Sequence, residues 1–317
     1  SVTYAGGGGG SSRSGSASAG GAGGGGAGAA NNTGTHAVAG TANTGGGGGG
    51  GDQTSTAGAG GSGIVVLSYT ANSSTVTGFT PDLVWIKDRT SALMHNIFDS
   101  ARLVYPYWSS NSSAAEVGGY GNTLTAFLSN GFSLGTNALF NTSGNNYISW
   151  LWKESPTSGV DVVTYTGTGA ATTIAHSLGV VPDMIIVKSR SAAGDGAVYF
   201  ATSSTSGQNF LLLDSTAVVA AGSTYWNNTK PTASVFSVGT HANTNASGVT
   251  YVAYLFASTT GFSSFGTYTG NAAADGPFIY TGFKPKYIMI KSSTATDDWL
   301  IYDTARNTYN VAGTELV

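Results

Sequence analysis

Cysteine is absent from the 317-residue chain. That removes disulfides and thiolate metal sites, and it leaves the redox compartment undetermined. Charge is scarce as well: Asp, Glu, Lys and Arg together make up 9% of residues, well below the rough quarter of an average globular protein. With a net charge of −3 there is no basic field to attract nucleic acid or an anionic membrane. No run of about 18 apolar residues occurs, which argues against a transmembrane helix. The start, Ser1-Val2-Thr3-Tyr4-Ala5, has neither the basic segment nor the apolar segment of a signal peptide. It also lacks Met, so sequence before Ser1 is expected. Helix signals are nearly missing. Thr, Ser, Val, Tyr and Gly dominate, and turn clusters recur every ten or so residues, the pattern of an all-β protein.

What is present is a repeat. Pro81-Asp82-Leu83-Val84-Trp85-Ile86-Lys87 returns as Pro182-Asp183-Met184-Ile185-Ile186-Val187-Lys188, and again as Pro285-Lys286-Tyr287-Ile288-Met289-Ile290-Lys291. Each copy reads as a strand entered through an extended Pro. Self-similarity at a fixed period outranks local motifs in setting architecture. The copies divide the chain into a glycine-rich segment at 1–63 and β repeats at 64–158, 159–260 and 261–317. Each repeat is expected to be a β-sandwich, because the signature strand is apolar on both faces. Asn141-Thr142-Ser143-Gly144 and Asn245-Ala246-Ser247-Gly248 sit between apolar runs and predict closing hairpins. The third repeat has no counterpart to them. It is expected to be incomplete, with the chain continuing past Val317 or with another chain supplying the missing strands.

Residues 1–63 hold 26 of the 49 glycines and two formal charges, Arg13 and Asp52. By composition alone this is a flexible linker. The ordered alternative has to do without side chains: polyproline-II-like runs packed side by side, bonded through backbone N–H and C=O groups. A bundle of polyglycine helices, stabilised by neighbouring chains, is the expectation.

Few constellations suggest chemistry. His36, His95, His176 and His241 lie in unrelated settings, no Gly-x-Ser-x-Gly elbow occurs, and the four read as surface or turn residues. No Gly-Lys-Ser/Thr follows the glycines, so a phosphate loop is excluded. Asp99 and Glu116 are the one carboxylate pair worth testing for glycoside hydrolysis. Asp99-Ser100-Ala101-Arg102 recurs as Asp303-Thr304-Ala305-Arg306 and reads as a structural device, a carboxylate that caps a turn and pairs with the Arg. Lys87, Lys188 and Lys291 read as strand-end solvation or edge protection. Tyr105, Tyr107 and Trp108, with Tyr225 and Trp226 in the equivalent region of repeat two, are flanked by Asn and Ser. They are candidates for stacking on a sugar, or else for packing between domains or subunits. No catalytic residue, metal or cofactor is expected.

The strings His176-Ser177-Leu178-Gly179-Val180-Val181-Pro182-Asp183-Met184-Ile185-Ile186-Val187-Lys188 and Gly78-Phe79-Thr80-Pro81-Asp82-Leu83-Val84-Trp85-Ile86-Lys87 resemble an uncharacterised repeat domain of marine bacteriophage virion proteins. Those proteins are often described as tail fibres. The glycine-rich part, ending Ala59-Gly60-Gly61-Ser62-Gly63-Ile64-Val65-Val66-Leu67-Ser68-Tyr69, resembles the C-terminal half of the glycine-rich domain of such fibres. The resemblance implies a structural protein on the virion surface, a fibre or adhesin contributing to host attachment rather than an enzyme. It implies homo-oligomers such as trimers, other virion proteins and a host-surface glycan as partners, with no nucleic acid and no membrane insertion. Alternatives are a capsid decoration or extracellular filament, or a polysaccharide depolymerase.

Overall fold

The computed structural model describes residues 7–12, 16–30, 36–41, 47–51, 56–59, 67–70, 75–76, 78–118, 120–203, 206–307 and 316. The chain forms two compact units, Ser1–Val65 and Val66–Val317.

The first unit consists of extended runs joined laterally by backbone hydrogen bonds. Gly9 and Ser12 donate to the carbonyls of Gly26 and Ala29, and Gly26 and Ala29 donate in turn to those of Gly47 and Gly50, at 2.8–3.0 Å. Partners advance by three residues in each pair, which is the period of a three-residue-per-turn extended helix. The run at 25–30 has further neighbours: Val38 donates to Ala27, and Gly28 donates to Ser18. A β-strand bonds to two neighbours in one plane, whereas this run bonds to four. Side-chain-free contact is a requirement here. A methyl group on Gly8, Gly9, Gly26 or Gly49 would sit 1.9–2.1 Å from a carbonyl oxygen of a neighbouring run. The expected polyglycine-II-like packing is present, and these bonds form within one chain.

The second unit is mostly β. Its first module comprises β1 (Leu67–Thr70), β2 (Thr75–Val76), β3 (Leu83–Asp88), β4 (Asn96–Asp99), β5 (Trp108–Ser109), β6 (Leu124–Leu128), β7 (Gly131–Leu134), the one-turn helix α1 (Ala138–Asn141) and β8 (Asn146–Trp152). The second module comprises β9 (Val160–Thr166), β10 (Thr172–Ala175), β11 (Met184–Ser189), β12 (Ala197–Phe200), β13 (Asn209–Leu212), β14 (Ala220–Ala221), α2 (Ser223–Trp226), β15 (Val235–Val238), α3 (Ala242–Asn245) and β16 (Thr250–Phe256). The third contributes β17 (Tyr287–Ile290) and β18 (Leu300–Asp303).

The main sheets run β1-β8-β3-β4-β5 and β9-β16-β11-β12-β13-β14, all antiparallel, so corresponding strands hold corresponding places. Registers match too. Leu83 faces Asp99, Met184 faces Phe200 and Tyr287 faces Asp303.

Each main sheet has a smaller sheet over one face. Val84, Ile86 and Phe98 pack with Leu124 and Phe132 of the β2-β7-β6 sheet. Ile185, Val187 and Tyr199 pack with Phe236 and Val238 of the second module. The opposite faces are apolar as well, and they are buried against one another. Leu83, Trp85, Ile97 and Trp150 share a core with Met184, Ile186, Val198, Tyr254 and Ile301, and Tyr287 and Met289 pack onto it. The signature strand is apolar on both faces because both faces are buried, one within its module and one between modules. The three modules therefore are not separate beads joined by linkers.

Two expectations need correction. Residues 141–144 and 245–248 do not close hairpins: β7 pairs with β2 and β6, while β8 pairs with β1 and β3. Each segment instead carries the chain between layers, through a one-turn helix capped by Asn137 or His241 and then a glycine at positive φ, Gly144 or Gly248. The strand-end lysines do not simply meet water either, and Lys87 donates to Leu93 O within its own module. Lys188 is fully buried and donates to Ser112 O at 2.9 Å and to Gly194 O. Lys291 donates to Thr216 O at 3.2 Å. Lysine stems long enough to reach a neighbouring loop link module one to two, and module two to three. Backbone bonds run beside them, Gly194 N to Ser113 O at 2.8 Å and Asp297 N to Thr216 O at 3.0 Å.

Candidate functional site

The polar centre of the second unit begins with the repeated Asp–Arg motif. Asp99 ends β4, and its Oδ1 accepts from Arg102 N at 2.9 Å, which caps the turn Ser100–Arg102. Its Oδ2 pairs with Arg102 Nε at 2.6 Å, both side chains being fully buried. Arg102 continues to Ile97 O at 3.0 Å and to Glu116 at 2.8 Å. Glu116 also takes Arg190 of module two, at 3.0 Å. Burial alone would push the Glu116 carboxyl up, but the hydrogen bond from Arg190 and the charge and hydrogen bond of Arg102 outweigh it and hold it below the ordinary range. The one carboxylate pair considered for glycoside hydrolysis is thus held by a shared guanidinium, and neither member stands free as an acid or base. Asp303 and Arg306 repeat the geometry, with Arg306 N to Oδ1 at 2.9 Å and Nε to Oδ2 at 2.6 Å. In both modules the pair caps the turn as expected.

The aromatic candidates are placed differently from a sugar platform. Trp108 is 1% exposed, donates Nε1–H to Tyr254 OH at 2.8 Å and stacks on that ring at 5.9 Å. The Tyr254 hydroxyl in turn donates a hydrogen bond to Asp99 Oδ2 at 2.6 Å. Tyr107 is buried against Phe98 and Phe140. Trp226 is 1% exposed, packed edge-on to Tyr199, and its indole N–H has no partner among the described residues. Tyr225 is buried between Phe210 and His241 at 3.7 and 3.8 Å. These four rings cannot stack on a ligand from solvent; they fill cores within and between modules. Tyr105 alone is half-exposed, at a positive φ of 83°. Among the described residues the exposed aromatic rings are others: Tyr120, Phe262, Tyr268, Phe278 and Tyr280.

Tyr254 and Arg190 are the partners that sequence reasoning missed. A usable signal was present for the first, since Tyr254 and Trp150 occupy the same place in matching closing strands. Nothing local marks Arg190 as the partner of a Glu 74 residues away. The histidines mostly serve turns. His241 Nδ1 caps α3 and His176 bonds Thr232 O, but His95 is buried against Trp150 rather than lying at the surface. Among the described residues, no group of three or more His, Asp and Glu side chains is placed to hold a metal ion. Among the same residues, no helix is long and apolar enough to cross a membrane.

A second carboxylate pair lies between modules one and two. Burial, with the hydrogen bond and charge of Asp161 and the charge of Asp82, pushes the Glu154 carboxyl up to about 7. Unfolded, such a group titrates near 4.3. Between these values the folded chain holds the extra proton, so this group's contribution to stability is present at low pH and is lost as pH rises from about 4.3 to 7. Glu154→Gln should remove that slope, read as the difference between wild-type and variant denaturant midpoints from pH 4.5 to 8. Parallel profiles would refute the assignment.

Residues 1–70 match a family model described as a glycine-rich domain. No curated protein and no solved structure matches the chain. Residues 62–317 match the model of a domain of unknown function (DUF7483), and the chain belongs to that family.

Proposed function

We propose that the chain is a structural protein of a phage virion, a fibre or adhesin component that contributes to host-surface attachment. The observation that carries this reading is the glycine-rich unit. Runs held by backbone bonds, at a separation that leaves no room for a side chain at the contacting glycines, suit a rigid scaffold. The fused core of the second unit points the same way, because it spends its aromatic and ionic residues on joining modules. The sequence strings that resemble virion fibre repeats supply the biological setting.

A second reading, a structural virion component with no receptor role, gains from the burial of Tyr107, Trp108, Tyr225 and Trp226. Incubating the intact chain with candidate host cells and their purified surface polysaccharides separates the two. Retention without release of reducing ends is the expected result, with Tyr120→Ala and Tyr105→Ala weakening it. Absence of retention across hosts that the phage infects would favour the scaffold reading, and release of reducing ends would overturn both.

A further inference from the structure

In modules one and two the signature strand has a partner on each side. β3 lies between β4 and β8, and β11 lies between β12 and β16. The β8 and β16 pairings share one register: Leu83 faces Trp152 as Met184 faces Phe256, and Val84 faces Leu151 as Ile185 faces Leu255. In module three β17 keeps the β18 partner in the matching register, but among the described residues no strand borders its other edge.

Its faces differ correspondingly. Tyr287 and Met289 pack onto the shared core, with Tyr287 edge-on to Trp150 and Trp152 at 5.6 Å. On the other face Ile288 is 40% exposed, whereas its equivalents Val84 and Ile185 are fully buried. Ile290 and Tyr302 are half-buried where Ile86, Val187, Phe98 and Tyr199 are buried. Nearby in the chain, Phe278 and Tyr280 are 89% and 82% exposed. An edge that no described strand pairs, beside an apolar face that is partly exposed, invites an added strand.

We propose that the free edge of β17 is an acceptor for one extended segment of the β8/β16 type: Asn-x-Ser-Gly, then a strand with Tyr at its second position, Trp or Tyr at its fifth, Leu at its sixth and an aromatic residue last. Tyr287 would face that final aromatic residue, and Ile288 would face the Leu, as Ile185 faces Leu255. The occupant is set by the chain's own precedent, since the same strand is met twice by the same partner in the same register.

A labelled peptide of residues 245–258 tests this against the intact chain, with anisotropy for affinity and amide exchange for location. Saturable one-to-one binding is expected, together with slowed exchange confined to module three. Leu255→Asp in the peptide, or Ile288→Lys in the chain, should weaken binding at least tenfold. Ile288 is exposed enough for the lysine variant to fold, which its unchanged thermal midpoint would verify. Equal binding of a scrambled peptide, or slowed exchange elsewhere only, would overturn the proposal. So would a self-associated chain that the peptide does not dissociate, because the edge would then belong to a second copy.

Discussion

Arg102→Met should cost about 3–5 kcal/mol, the usual penalty for removing one member of a buried ion pair. The size follows from what is left behind. Asp99 has no exposed side-chain area and would keep a charge inside the core with only the Tyr254 hydroxyl and the turn amide around it. Ile97 O would lose its donor as well, at about 1–3 kcal/mol for an unsatisfied buried group. Arg190→Met is the contrast. That side chain is 26% exposed and shares Glu116 with Arg102, so about 0–1 kcal/mol is expected. Denaturant unfolding followed by tryptophan fluorescence reads both, and equal effects would show that burial does not govern this network. Module two has already made the exchange in full. Phe200 stands in register where Asp99 and Asp303 stand, and it packs onto the shared core. An apolar group of suitable volume can replace a buried ion pair, whereas half a pair cannot remain.

Gly26→Ala should abolish amide-exchange protection across the runs at 25–30, 36–41 and 47–51, while Gly10→Ala should leave it intact. The added methyl at Gly26 would lie 2.0 Å from Val38 O and 2.8 Å from the Ala39 carbonyl carbon. Both obstacles are backbone, so no side chain can swing aside. Overpacking a core that relaxes through side chains typically costs about 1–3 kcal/mol, and here that route of relief is closed. At Gly10 no atom of the described residues lies within 4 Å of the added carbon. There the smaller conformational freedom of alanine in the unfolded chain should stabilise slightly, by about 0.4–1 kcal/mol. Opposite signs for one chemical change, measured by hydrogen exchange, constitute the test. Two variants of the same sign would mean that the runs are not held at the observed separation.

Much of this was legible in the chain. The three Pro-to-Lys strings became β3, β11 and β17, and the Asp-x-x-Arg motif became a capped turn with a buried ion pair. The period-three bonding of the glycine runs follows from what ordered glycine can do. What sequence could not reveal is where the second face of each sheet goes. An apolar strand reports that both of its sides are buried and is silent about which surface covers them. For that reason Trp108, on a two-residue strand, read as a loop ring while its partner was Tyr254, 146 residues away. Lys188 misled for a related cause, since a lysine ends a strand in the same way whether its ammonium meets water or the carbonyl of a neighbouring loop. The hairpins misled because Asn-x-Ser-Gly marks a reversal of the chain without saying whether the next strand stays in the same sheet.

The loop-to-lysine seam between modules has an evolutionary consequence. In a ring of identical subunits one codon change alters every interface at once, so a drastic exchange has to be tolerated several times over. Here each seam is written separately in the gene. Ser112 serves Lys188 at one and Thr216 serves Lys291 at the next. A single seam can therefore drift, or acquire a new surface, while the other keeps its two modules joined.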